Sequence, residues 1–214
     1  NKGFCNLSEV VVRPDDTKES LLNKVEIATI LGTLQSTLTN FRYLTKDWQK
    51  NAEEERLLGV SLTGILDNKF TATPSDDLKE FLLELKNKAI QVNREWARRL
   101  GIPESASITC VKPSGTVSQL VDSASGIHPR HSKYYVRTIR SDNKDPLCSL
   151  MKAMGFPNEP DVTKPEHTTV FSFPVKSPEN SIFRDQLSAI KHLELWMFYK
   201  KHWAEHTVSI TISV

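Results

Sequence analysis

Short apolar and β-branched runs alternate with longer helical patterns along the whole chain. This alternation is typical of βαβ units, in which parallel strands form a buried sheet and helices lie outside it. We therefore expect an α/β fold, and the alternation alone is compatible with either a doubly wound sheet or a barrel. The predicted strands are 8–12, 59–65, 106–111, 134–140, 168–175 and 208–214, and the predicted helices are 21–41, 47–57, 74–100, 114–120, 146–154 and 183–203.

The helix that begins at residues 74–77 has the clearest pattern. Its apolar positions follow one another in alternating steps of four and three residues, which places them on one face. Gly101 and Pro103 are expected to end this helix. Two further local predictions are a capping box from Asp16 to Glu19, which would start the helix 21–41, and a surface loop at 158–165. The face of the helix 74–100 that we expect to be buried carries Leu78, Leu82, Leu85, Ala89, Val92 and Trp96.

Composition and charge exclude several classes of protein. With 214 residues, of which 38% are hydrophobic and 25% charged, the chain can bury a substantial core. A net charge of +2 is too small to indicate nucleic acid or an anionic membrane as a partner. No apolar run approaches the length that crosses a bilayer.

The three cysteines, Cys5, Cys110 and Cys148, are too few and too scattered for a disulfide framework or a zinc site. We therefore expect a reducing, cytoplasmic environment and no bound metal. Cys110 lies in a predicted strand and Cys148 in a predicted helix, so both are interpreted as core residues. The chain opens on Asn1 rather than methionine, and we expect it to be a fragment of a longer protein.

The stretch after the strand 106–111 is a candidate anion site. Pro113 closes the strand, and Ser114, Gly115 and Thr116 open a short helix whose first backbone N–H groups have no partner inside it. Gly115 would let a phosphate approach the backbone, and the neighbouring hydroxyls could donate hydrogen bonds. The motif differs from the longer P-loop pattern. An ordinary Ser-capped helix start is the alternative.

Three segments, in this order, carry a family resemblance. Residues 4–10 read Phe-Cys-Asn-Leu-Ser-Glu-Val, and residues 55–64 run from Glu-Arg-Leu-Leu-Gly to Leu-Thr-Gly. The third, 112–120, contains Lys-Pro-Ser-Gly-Thr and leads into Ala-Ser-Gly-Ile-His-Pro-Arg at 124–130. Together they resemble the adenosylcobalamin-dependent (class II) ribonucleotide reductases over nearly the whole chain.

The resemblance implies a fold and a chemistry. The fold would be the later half of a ten-stranded α/β barrel with helices outside, and 1–214 would form a single partial catalytic-barrel domain. In the family, a thiyl radical on a central finger loop abstracts the 3′-hydrogen of a ribonucleotide, and two further cysteines supply reducing equivalents as the 2′-hydroxyl leaves. By its motif Cys5 resembles one of this reducing pair. The segment Pro113, Ser114, Gly115, Thr116 and Val117 resembles the site for the substrate's phosphates.

The resemblance also implies partners. These are a ribonucleoside di- or triphosphate substrate, adenosylcobalamin, a deoxynucleotide effector of the full enzyme, and a thioredoxin-like or dithiol reductant. The radical cysteine and the second reducing cysteine are expected to lie in an N-terminal half or a partner chain. His128 is expected to have a structural role near the active centre. The alternative function is a non-catalytic phosphate- or nucleotide-binding module derived from such a reductase.

Overall fold

A computed structural model describes residues 2–179, 181–206 and 208–213. These residues divide into two compact units: 131–179 form one, and the remainder form the other. Both units combine strands with helices, so the α/β class is confirmed. In chain order the elements are β1 (Asn6–Val11), α1 (Lys18–Gln35), α2 (Lys46–Glu55), β2 (Leu58–Thr63), α3 (Asp76–Leu100), β3 (Thr109–Cys110), α4 (Gly115–Leu120), β4 (Tyr134–Asp142), α5 (Pro146–Ala153), β5 (Asn158–Pro160), β6 (Thr168–Lys176) and α6 (Ala189–His202).

The larger unit is organised around a parallel sheet with the order β1-β2-β3. All six residues of β2 are buried, as expected for a central strand covered on both faces. In the register of the sheet Glu9 is paired with Ser61, and Ser61 with Cys110. Because residues paired directly across neighbouring strands point to the same side of a sheet, these three side chains lie on the same face.

The helix predicted at 74–100 is confirmed as α3. Leu78, Leu82, Leu85, Ala89 and Val92 are buried as predicted, and Gly101 ends the helix in the left-handed conformation. Ser75 provides the N-cap, because its side chain accepts a hydrogen bond from the Leu78 N–H. Of the predicted face, only Trp96 is half-buried rather than buried.

The capping box predicted at Asp16 to Glu19 is wrong by one residue. Thr17 is the N-cap of α1, and it exchanges hydrogen bonds with Ser20. Asp16 does not cap, because Lys24 Nζ donates to both of its carboxylate oxygens. The helix also ends earlier than predicted, at Gln35.

The smaller unit corrects the expectation of parallel strands throughout. Here β4 and β5 both pair antiparallel with β6, in the order β4-β6-β5. Residues 158–165 are not wholly a loop, since 158–160 form β5. The chain turns back after β5 because the Asp161 carboxylate accepts hydrogen bonds from the N–H groups of Thr163 and Lys164.

Two predicted elements near the C-terminus are shorter or absent. The predicted helix 183–203 starts only at Ala189, where the Ser188 hydroxyl caps it. No strand forms at 208–213, the described part of the predicted strand 208–214. There the Ser209 N–H donates to Val111 O and the Thr211 N–H to a histidine ring, so no ladder is made. None of the helices in the described residues is long and apolar enough to cross a membrane.

Candidate functional site

The five predicted residues from Pro113 to Val117 line a single cavity of about 460 Å³. The segment begins just beyond the carboxyl end of β3 and runs into α4. Its position therefore agrees with the rule that ligands of parallel sheets bind beyond the carboxyl ends of the strands. The other lining residues are Leu7, Ser8, Glu9, Ser61 and Lys112.

Neither the backbone conformation nor the packing at position 115 requires a glycine. Its backbone is not in the left-handed region, and a β-carbon built on it would meet no atom within 4 Å. Four other glycines, Gly64, Gly101, Gly126 and Gly155, do have positive φ. The space in front of Gly115 is open, which suits a ligand that contacts the backbone.

Glu9 is a cavity residue that sequence reasoning missed. The Ser114 hydroxyl donates to Glu9 Oε2 at 2.5 Å, and the Ser61 hydroxyl donates to Oε1 at 3.4 Å. Burial raises the pKa of the Glu9 carboxyl, and the two hydroxyl donors oppose that increase. The available signal was a charged residue within a predicted strand.

Ser61 connects the start of the loop to the sheet. Its hydroxyl accepts a hydrogen bond from the Lys112 N–H at 3.0 Å while donating to Glu9. A hydroxyl has one donor and can accept as well, so both bonds are satisfied together. The chain entering the phosphate segment is thereby held against β2.

Cys5 does not line this cavity. It is half-buried beside Gly59, where a β-carbon would lie 2.7 Å from Cys5 Sγ and 3.3 Å from Cys110 Sγ. Burial raises the pKa of the Cys5 thiol, and the charge of Lys112 partly offsets this. Burial, with a contribution from Cys5, raises the pKa of Cys110 to about 12. Both sulfurs are therefore thiols at neutral pH.

We expect Gly59→Ala to lower the free energy of unfolding by about 1–3 kcal/mol, because the new methyl group would overlap Cys5 Sγ and Leu7 Cδ2. Urea unfolding measures the change. Gly115→Ala is the matched control, since its methyl group enters open space and should change stability by less than about 0.5 kcal/mol. Equal stability of the two variants would contradict the packing described for Gly59.

The segment that follows α4 is fixed by a buried ion pair. Arg130 Nη2 lies 2.9 Å from Asp67 Oδ2, and both side chains are almost completely buried. Asp67 also accepts hydrogen bonds from the Ala124 N–H and the Ser181 hydroxyl. Sequence reasoning identified the segment but not Asp67, which comes from a distant part of the chain.

His128 is held from both sides of its ring. Nε2 accepts a hydrogen bond from the Thr211 N–H, so Nδ1 carries the proton and donates to Ser125 O at 2.8 Å. Both ring nitrogens are thus used in fixing backbone. This agrees with the structural role expected for His128.

No family model matches the chain. The chain is 28% identical over 98% of its length to an adenosylcobalamin-dependent ribonucleoside-triphosphate reductase of Lactobacillus delbrueckii subsp. bulgaricus, covering 32% of that protein. The protein of the same description from Euglena gracilis is 30% identical over 78% of this chain and 23% of its own length. The chain therefore spans about a third of the length of the curated relatives it matches.

A solved structure has the same fold. It is the crystal structure of a B-12 dependent (class II) ribonucleotide reductase, with a TM-score of 0.81 and 23% sequence identity. The match covers all of this chain and 33% of that one. The resemblance inferred from the three motifs is confirmed by these matches.

Proposed function

We propose that this chain, a homologue of the adenosylcobalamin-dependent ribonucleotide reductases, is part of an enzyme that converts ribonucleotides to 2′-deoxyribonucleotides. Similarity over 98% of the chain supports the proposal. In it, the parallel sheet of the larger unit belongs to a ten-stranded α/β barrel, which the rest of the reductase or a partner chain completes. The proposal also includes the prediction that residues 1–214 form one partial barrel domain.

The observation that carries the substrate role is the cavity at Pro113, Ser114, Gly115, Thr116 and Val117. We assign it to the phosphates of a ribonucleoside di- or triphosphate. The open space at Gly115 supports close approach of an anion to the backbone. The hydroxyls of Ser114 and Thr116 supply further donors.

We assign to Cys5 the role of a reducing cysteine. A protonated thiol can give up hydrogen and electrons, whereas a cysteine sealed in the core cannot meet a substrate. Cys5 is half-buried, and it is thereby more accessible than Cys110 and Cys148, which are both buried. The reaction forms a disulfide between Cys5 and its partner cysteine from the rest of the reductase. One of the two protons leaves with the 2′-hydroxyl as water, and the other proton and both electrons form the new C–H bond at the 2′-carbon.

Adenosylcobalamin, when bound to the complete reductase, would supply the radical with which the reaction begins. The described residues contain no group of three or more His, Cys, Asp or Glu side chains that could hold a free metal ion. In the proposal, the part played by this chain is to hold the nucleotide and supply a thiol. The wider proposal includes a deoxynucleotide effector, a thioredoxin-like or dithiol reductant, and a cytoplasmic location.

We expect Gly115→Val to weaken binding of ribonucleoside di- and triphosphates by about tenfold or more, because the side chain would occupy the space proposed for a phosphate. Isothermal titration measures the affinity, and urea unfolding checks that stability is retained. Leu120→Val, which introduces the same side chain at an exposed position of α4, is the control and should bind normally. Unchanged affinity in Gly115→Val would refute the phosphate role.

The activity itself is tested on the complete reductase, by following deoxyribonucleotide formation from ribonucleotides with adenosylcobalamin and a dithiol. Product formation supports the proposal. Nucleotide binding without any product would favour the alternative, a binding module derived from a reductase.

A further inference from the structure

We propose that Glu9 is a positioning residue that sets the direction of the Ser114 hydroxyl, so that an anion enters the Pro113–Val117 cavity together with one proton. The inference rests on the phosphate role proposed for that cavity. Glu9 belongs to β1 and Ser114 precedes α4, and the two side chains meet at 2.5 Å inside the cavity. Glu9 is not among the residues to which the proposed function assigns a role, which are Cys5 and the five residues from Pro113 to Val117.

The number of hydrogens on Glu9 and Ser114 limits the hydrogen bonds that the two side chains can donate. An ionised carboxylate only accepts hydrogen bonds, and a serine hydroxyl has a single hydrogen to donate. While Glu9 is ionised, that hydrogen of Ser114 points at Oε2. Only lone pairs of the Ser114 oxygen then face the cavity, and these repel an anion.

A proton on Glu9 changes which of the two side chains donates. A neutral carboxyl can donate its own O–H to the Ser114 oxygen, which frees the Ser114 hydrogen to point at a phosphate oxygen. The same proton removes the negative charge of Glu9 from the cavity. One proton therefore reverses the Ser114–Glu9 hydrogen bond and cancels the repulsion.

The surroundings of Glu9 favour this exchange. It is half-buried, and burial raises the pKa of its carboxyl. Among the cations near it, Lys24 of α1 is already bonded to Asp16, and Arg13 beyond β1 donates to Asp122 O. Two further titratable groups face Glu9: Lys112 lines the cavity, and Cys110 lies on the same face of the sheet. Ser61 of β2 carries no charge and donates a hydrogen bond to Glu9.

Proton linkage gives the expected result. Above the pKa of Glu9, the affinity of the purified protein for sulfate should fall by about tenfold per pH unit, because each anion bound must bring one proton. Sulfate is the probe because its own charge stays constant over that range, unlike that of phosphate. Calorimetry in two buffers of different ionisation enthalpy should show uptake of about one proton per sulfate.

Glu9→Gln keeps the shape of the side chain but cannot take up a proton. Its affinity for sulfate should be nearly independent of pH and should exceed that of the wild type at high pH. Glu19→Gln, an exposed carboxylate in the first turn of α1, is the matched control and should behave like the wild type. A purely structural role for Glu9 would change stability without changing the slope of affinity against pH.

The outcomes separate the two proposals. Sulfate binding with the same pH dependence in Glu9→Gln and the wild type would overturn the role of Glu9 and leave the phosphate cavity intact. Absence of proton uptake in the wild type would overturn it independently of any variant. Failure of the wild type to bind sulfate at all would count against the phosphate role, and the inference about Glu9 would fall with it.

Discussion

Asp67→Asn is expected to lower the free energy of unfolding by about 3–5 kcal/mol, because it leaves a buried guanidinium without its main counter-charge. Asp67 is 1% exposed and accepts hydrogen bonds from four donor groups, namely Arg130 Nε and Nη2, the Ser181 hydroxyl and the Ala124 N–H. An amide in its place would turn an N–H₂ group towards one of these donors. Unfolding in urea, followed by tryptophan fluorescence, measures the loss. All four tryptophans, Trp48, Trp96, Trp196 and Trp203, belong to the same unit as Asp67.

Asp122→Asn is the matched control for Asp67→Asn. Its carboxylate contacts the same Arg130 at 2.8 Å, but its side chain is 70% exposed. Removing this charge should change the free energy of unfolding by less than about 1 kcal/mol, since solvent screens exposed pairs. Asparagine also tolerates the positive φ of residue 122. Similar small losses in both variants would show that burial of the Arg130–Asp67 pair has little energetic importance.

Cys5→Ser is expected to abolish multiple turnovers of the complete reductase when a dithiol is the reductant. A serine hydroxyl cannot form the disulfide through which two electrons reach the substrate. The measurement is deoxyribonucleotide formed per enzyme molecule over time. Nucleotide affinity should be unchanged, because Cys5 does not line the Pro113–Val117 cavity.

Cys148→Ala provides the comparison for Cys5→Ser. Cys148 is buried in the smaller unit and has no proposed role in the reaction, so turnover should persist. Normal turnover in Cys5→Ser would exclude a reducing role for this residue. Loss of turnover in both variants would point to a general effect of removing a thiol.

Local patterns were predictable from the sequence where one physical effect dominates. The spacing of Leu78, Leu82 and Leu85 on α3 is fixed by helix geometry, so the bounds of that helix were predicted almost to the residue. Five of the six positions predicted for its buried face are buried, and the face also includes Phe81, Asn93 and Ala97. The turn from β3 into α4 was also predicted, because proline cannot continue the hydrogen-bond ladder of a strand and serine favours the start of a helix. The phosphate role of Pro113–Val117 stays a prediction.

Features that depend on distant residues were not predicted. The direction of β6 is set by the turn at Asp161, and strand patterns alone do not distinguish parallel from antiparallel pairing. Asp67 meets Arg130 from across the chain, and Glu9 meets Ser114 in the same way. The strand 208–214 failed over its described part because His128, rather than a strand, receives the Thr211 N–H.

The contacts of Asp67 have a consequence for how the chain tolerates change in length. Arg130 and Ser181 stand on either side of the smaller unit in sequence, and the Asp67 carboxylate binds both side chains. Next to them, the backbones of residues 130 and 183 form a β-bridge. For the larger unit, the segment between Arg130 and Ser181 is therefore a loop whose two ends are held together by these contacts. The entropy cost of closing a loop rises only slowly with the length of the loop. Residues 131–179 are thus a segment that evolution could lengthen, shorten or exchange while the Pro113–Val117 cavity stays in place.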